Sequence, residues 1–116
     1  MPTELIYLAS PYSHPDADVR RDRFERVCVA AGLLLENGHL VYSPIAHSHS
    51  IAELSYMATG WVDWSRLDAE MLRRCDRVIV LMIDGWEESK GIMAEVALAE
   101  QMGMRVTYMT PDEVCE

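Results

Sequence analysis

An α/β fold, with helices on both faces of an open and mostly parallel sheet, is what this sequence predicts. Two observations carry that expectation. Short apolar runs alternate with helical stretches of more than ten residues, the pattern of parallel strands joined by crossover helices. The run Val78-Ile79-Val80-Leu81-Met82-Ile83 is apolar throughout, without the polar alternation of a half-exposed strand, so it belongs to a strand buried on both faces. Right-handed crossovers then make the fold doubly wound. The 116 residues are expected to form one small domain over positions 1–116, with no repeat, linker or low-complexity tract.

Taken in order, Leu5–Ala9 reads as a buried strand that stops before Pro11. Ser13-His14-Pro15-Asp16 reads as a helix start, with a hydroxyl cap, an early proline and an acid in the first turn. Val27, Ala31, Leu34 and Leu35 recur at helical spacing, and Asn37-Gly38 is the stop. His39–Ser43 is a second strand closed by Pro44. The segment from Ile45 to Gly60 is irregular, with room for a short helix. Trp64, Leu67, Met71 and Cys75 form the stripe of a helix beginning near Val62, and Val78–Ile83 follows as a strand. A helix from Ser89 to Met102 ends at Gly103, Arg105–Met109 is a last strand, and Thr110-Pro111-Asp112-Glu113 opens a short tail with a helical turn.

Composition narrows the function. The formal net charge of −9 argues against nucleic-acid polymers and anionic membranes, which need a basic footprint. No apolar run approaches the length that spans a bilayer. The start Met1-Pro2-Thr3-Glu4 lacks the basic region of a signal peptide, and three scattered cysteines without a Cys-x-x-Cys pair suit a reducing, cytoplasmic chain. Cys28 and Cys75 read as helix-face packing. Eight methionines and three tryptophans in so short a chain hint at a buried subunit interface.

In doubly wound sheets ligands bind beyond the C-terminal strand ends. Those ends here are Ser10-Pro11-Tyr12, Ser43-Pro44 through His49, Asp84-Gly85-Trp86 and Thr110-Pro111, which gathers scattered polar residues into one expected cleft. Its most informative part is Ser89-Lys90-Gly91-Ile92-Met93-Ala94-Glu95. A buried strand, a turn and a helix start make a ready anion site, because the first helical N–H groups have no partner of their own. Glu95 lies four residues past Gly91, roughly 6 Å along the axis. A phosphate at the helix start and a carboxylate one turn in can grip two sides of one sugar ring. Glu95 is ionised at neutral pH when free, which suits a nucleophile, but an acid early in a helix also simply complements the dipole. Ser89 is a helix cap or a phosphate ligand with the same geometry, and Gly91 is a turn residue or a point of close backbone approach. Lys90 is a site charge or a solvated side chain.

Asp68 is a boundary residue in water, or a general acid if burial raises its pKa. Asp84 serves Asp-Gly turn chemistry, or hydrogen bonds a sugar or base. His47-Ser48-His49 is a weak metal signal, since no cysteine or acid stands nearby at ligand spacing. One of the two histidines, taken as His47, is expected to line the cleft. No metal and no cofactor is read from the chain. Tyr7 is a core tyrosine needing a partner for its hydroxyl, and Trp61, Trp64 and Trp86 stack on a base or pack in the core.

Together, Ile6-Tyr7-Leu8-Ala9-Ser10-Pro11, Asp68 eight residues before Asp76, the Val78–Ile83 strand and Ser89-x-Gly91-x-x-x-Glu95-x-x-x-Ala99 resemble the nucleoside 2-deoxyribosyltransferase superfamily, which includes 2'-deoxynucleoside 5'-phosphate N-hydrolases. The resemblance covers most of the chain, in a branch of small bacterial and phage proteins. It implies a flavodoxin- or Rossmann-like three-layer sandwich with a sheet of four or five strands. It implies cleavage or transfer at the N-glycosidic bond of a nucleoside or its 5'-monophosphate. Glu95 would be the nucleophile, Tyr7 would orient it, Asp68 would serve the base or the leaving nitrogen, and Ser89 would hold a phosphate. A homo-oligomer, dimer or tetramer, is also implied. The glycine-rich, arginine-containing loop of the hydrolase branch is replaced here by Ser10-Pro11-Tyr12-Ser13-His14. Two other classes stand beside the enzyme: a catalytically silent nucleotide-binding module using the same cleft, and a small structural oligomer.

Overall fold

The structure, a computed structural model, describes residues 3–55 and 64–115. The expected helix start near Val62, Trp61, and the end of the irregular segment at Gly60 lie outside the described residues.

Four parallel strands form the sheet in the order β2-β1-β3-β4. Strand β1 (Leu5–Ala9) is central and pairs with β2 (Leu40–Tyr42) on one side and β3 (Arg77–Leu81) on the other, and β4 (Arg105–Met109) closes the far edge. Among the described residues, five helices connect and flank these strands: α1 (Ala17–Glu36), α2 (Pro44–Leu54), α3 (Trp64–Arg74), α4 (Lys90–Gln101) and α5 (Pro111–Val114).

Strand alternation builds two cores. Ile6, Leu8, Ile79 and Leu81 face Val27, Ala30 and Leu34 of α1 and Val114 of α5. Tyr7, Ala9, Val78 and Val80 face Leu72 and Cys75 beside α3, and Ile92 and Ala99 of α4. Both faces of β1 and β3 are therefore dry, which is why Val78–Leu81 carries no polar residue. The expected three-layer arrangement and the parallel sheet are both present.

Local chemistry moved several boundaries. Helix α1 is capped by Asp16, whose carboxylate accepts from the Asp18 N–H at 2.8 Å, and not by Ser13. Pro15 has no N–H and holds the residue before it extended, so the helix begins only after it. Strand β2 is shorter than His39–Ser43, because Ser43 caps α2 through its hydroxyl, 3.1 Å from the Ala46 N–H, and Pro44 is the first helical residue. The expected irregular segment is thus helical from Pro44 to Leu54. Thr110 and Glu113 form a reciprocal capping box at α5.

After β3 the chain turns at Gly85, with φ of 92°, into one 3-10 turn at Trp86–Glu88 before Ser89 caps α4. A Cβ on Gly85 would meet the Arg23 guanidinium. Gly85→Ala is expected to destabilise the fold by about 1–3 kcal/mol, chiefly from the left-handed backbone, with the flexible Arg23 side chain moving aside. Thermal unfolding would read it as a drop of several degrees, and an unchanged Tm would remove the argument.

Candidate active site

The switch in strand order lies between β1 and β3, where the crossovers leave in opposite directions. Above it is a cavity of about 820 Å³. Its lining includes Ser10 and Tyr12 after β1, Ser48 and His49 on α2, Asp68 on α3, Gly85 after β3, and Ser89, Gly91 and Glu95 of α4.

Glu95 reaches the cavity because α4 starts at Ser89 and turns once before it. The Ser89 hydroxyl accepts from the Ile92 N–H at 3.1 Å, pinning that first turn. Gly91 keeps space open, since a Cβ there would touch only the Ser89 hydroxyl at 3.8 Å. Tyr7, an inward residue of β1 on the α3–α4 side, lies fully buried behind Glu95 and donates its hydroxyl proton to the Glu95 carboxylate. Its ring lies 5.9 Å from that of Tyr42, its register partner on β2.

Burial pushes the Glu95 carboxyl up to about 7, against the pull of the Tyr7 hydrogen bond, and the Asp68 charge adds to the rise. Asp68 is pushed up to about 6 by burial, with His47 pulling the other way. Its Oδ1 is buried without a hydrogen-bond partner among the described residues. Burial first, and then the Glu95 charge, drives the Tyr7 hydroxyl far above the ordinary phenol range. Tyr7 is thus a fixed donor. Two carboxyls with pKa values near neutrality in one cavity can hold and exchange protons at physiological pH.

Of the residues singled out from the sequence, Glu95, Asp68, Ser10, Tyr12, Gly85, Ser89 and Gly91 meet at this cavity, with Tyr7 behind them. Three lie elsewhere. Pro11 is fully buried and outside the lining. His47 is exposed, with its ring 6.0 Å from that of Tyr42, and His49 takes the place in the lining. Asp84 borders a smaller cleft of about 520 Å³ with Asp18, Asp22 and Arg26. The helical reading of α2 explains the histidine exchange. Ile45, Ser48, His49 and Ala52 recur at helical spacing and all line the cavity, while His47 falls on another face. The signal was the Ser43-Pro44 cap. Arg23 also lines the cavity, held by Tyr12 and Ser13 carbonyls at 3.4 and 3.0 Å, and no sequence pattern marked it. Among the described residues no three His, Cys, Asp or Glu side chains gather as metal ligands, and no helix is long and apolar enough to cross a membrane.

The raised Glu95 pKa makes a stability prediction. The unfolded chain releases this proton near 4.5, whereas the folded chain keeps it until about 7. The folded state binds more protons in that window, so stability is full below about 4.5 and falls as pH rises through about 7, by about 3 kcal/mol. Glu95→Gln keeps an acceptor for Tyr7 without the charge. It is expected to raise Tm at pH 8 and to flatten the decline between pH 5 and 8, and an equal or lower Tm at pH 8 would contradict the assignment.

Comparison with known proteins agrees with this architecture. No curated protein matches the chain. Among solved structures it superposes on a 2-deoxyribosyltransferase from the psychrotolerant bacterium Bacillus psychrosaccharolyticus, with a TM-score of 0.65 and 23% identity over 92% of this chain and 72% of that one. The two share the fold. The family described as "Domain of unknown function (DUF1937)" matches residues 4–111, nearly the whole chain. The chain therefore belongs to the DUF1937 family and has a nucleoside 2-deoxyribosyltransferase-like fold.

Proposed function

We propose that the protein cleaves or transfers at the N-glycosidic bond of a nucleoside or its 5'-monophosphate, with Glu95 as nucleophile. The observation that carries this reading is the Glu95 carboxylate, one turn into α4, held by the Tyr7 hydroxyl in a cavity shared with Asp68. The likeness of fold to a 2-deoxyribosyltransferase supports it. A volume of about 820 Å³ accommodates a nucleoside.

In this mechanism a Glu95 oxygen attacks C1' of the sugar. The C1'–N bond breaks, its electron pair goes to the base nitrogen, and protonated Asp68 supplies the proton. The glycosyl ester is then opened by water, in hydrolysis, or by a second base, in transfer. The Asp68 carboxylate takes the proton from the incoming group. Tyr7 keeps the attacking oxygen aimed and, as a permanent donor, eases the departure of the carboxylate in the second step.

Glu95→Ala is expected to lower turnover by on the order of 1,000-fold or more while the chain still folds. Chromatography for base released from deoxynucleosides and their 5'-monophosphates measures it. Release unchanged by the substitution would exclude the nucleophile, and binding without release would assign the chain to the binding-module class.

The pH profile follows from the same pair. Rate rises as Glu95, at about 7, loses its proton, and falls as Asp68, at about 6, loses its own. The required form has the lower-pKa group protonated and the higher one ionised, so it is a minority species. It gives a bell in kcat/KM with its maximum between about 6 and about 7. Asp68→Asn should remove the alkaline limb. A variant that keeps that limb would take Asp68 out of the acid role.

A further inference from the structure

The cavity extends over the strand ends to the α1 side of the sheet, where Ile45 of α2 packs on the α1 core. Here the lining changes character. Ser10, only 5% exposed, and Ser48 both have buried hydroxyls with no partner among the described residues, and both line the cavity. A buried hydroxyl without a hydrogen bond destabilises the empty fold, and a ligand group that meets it recovers that loss.

Tyr12 stands in the same wall with its proton committed. Its hydroxyl lies 2.7 Å from His49 Nδ1, and His49 Nε2 lies 2.9 Å from the Glu53 carboxylate. Arg21 holds Glu53 at 3.1 Å, and Phe24 stacks on the imidazole with centroids 4.0 Å apart. A carboxylate only accepts, so the proton of a neutral ring sits on Nε2 and Nδ1 accepts the Tyr12 O–H. Arg20, which only donates, also acts on this hydroxyl and opposes the upward push of burial on its pKa. With its proton given to His49, the hydroxyl of this lining residue can meet a ligand group only through a lone pair on its oxygen.

We propose that Ser10, Ser48 and Tyr12 are specificity-determining residues that bind a donor-bearing group of the ligand, an exocyclic amine of a base or a hydroxyl of a sugar. His49 and Glu53 act as positioning residues for the Tyr12 hydroxyl. This rests on the nucleoside reading above and names the chemistry that the far half of the cavity recognises.

The test is calorimetric binding with Glu95→Gln protein, so that no ligand is consumed. Deoxycytidine against deoxyuridine and deoxyadenosine against deoxyinosine exchange an amine for a carbonyl. A deoxynucleoside against its 3'-deoxy analogue removes a sugar hydroxyl. The donor-bearing member of one series should bind roughly tenfold tighter, and the series identifies the group read. Tyr12→Phe should erase that difference. Glu53→Gln, whose amide accepts either imidazole tautomer, should narrow it without touching the ligand. Ser10→Ala and Ser48→Ala should weaken binding while leaving or raising the Tm of the empty protein, where a structural serine would lower it.

Equal binding within every pair would overturn the proposal. So would serine variants that lose Tm and keep affinity, or a preference for 5'-monophosphates that those variants abolish. Base release by the Glu95 protein without any pair preference would overturn this inference alone. A pair preference without base release would overturn the glycosidic reading alone, and no binding by any nucleoside would overturn both.

Discussion

The hydrogen bond from Tyr7 to Glu95 is the constraint on which the rest of the site depends. A carboxylate as enclosed as Glu95 has lost most of its water, and one strong donor is what keeps its ionised form accessible. That donor stands on the central strand, which has neighbours on both sides and helices on both faces. Its position is set by the whole sheet. The acceptor stands one turn into α4, whose start is pinned by the Ser89 cap. The sheet and the helix are independently rigid, and the hydrogen bond joins them.

The fold was legible because its signals are local and repeated. Strands β1 and β4 coincide with the apolar runs read for them, and α4 begins where Ser89 announces it. The part read poorly was the stretch after β2. Ser43-Pro44 fits the end of a strand, but a hydroxyl residue followed by proline is equally the start of a helix. A short helix with no fixed start leaves its facing residues undetermined; once Ser43 caps α2, helical spacing puts Ser48 and His49, and not His47, into the cavity.

The site was legible to the extent that its residues follow strand ends and helix starts. Glu95, Ser89 and Gly91 share one helix start, and Tyr7 lies on β1 with Ser10 directly after it, so position along the chain implies position in space. Arg23 and the Tyr12–His49–Glu53 chain were not legible. Their partners lie 10 to 37 residues apart or depend on which way a helix is rotated, and no spacing rule encodes that. Asp84 shows the converse. Its Asp-Gly turn is real, but the left-handed Gly85 sends the chain around Arg23, and Asp84 borders the neighbouring cleft.

The two cores have a consequence for how such a protein diversifies. Residues that meet Glu95 rest on the α3–α4 core, and the α2 wall rests on the α1 core, with the sheet between them. Substitutions that reshape one half need not disturb packing in the other, because effects at separated sites are close to additive. A lineage built on this plan can vary the α2 wall of the cavity while the Glu95 and Asp68 carboxyls stay in place. In that sense the sheet is a partition between what changes and what is retained.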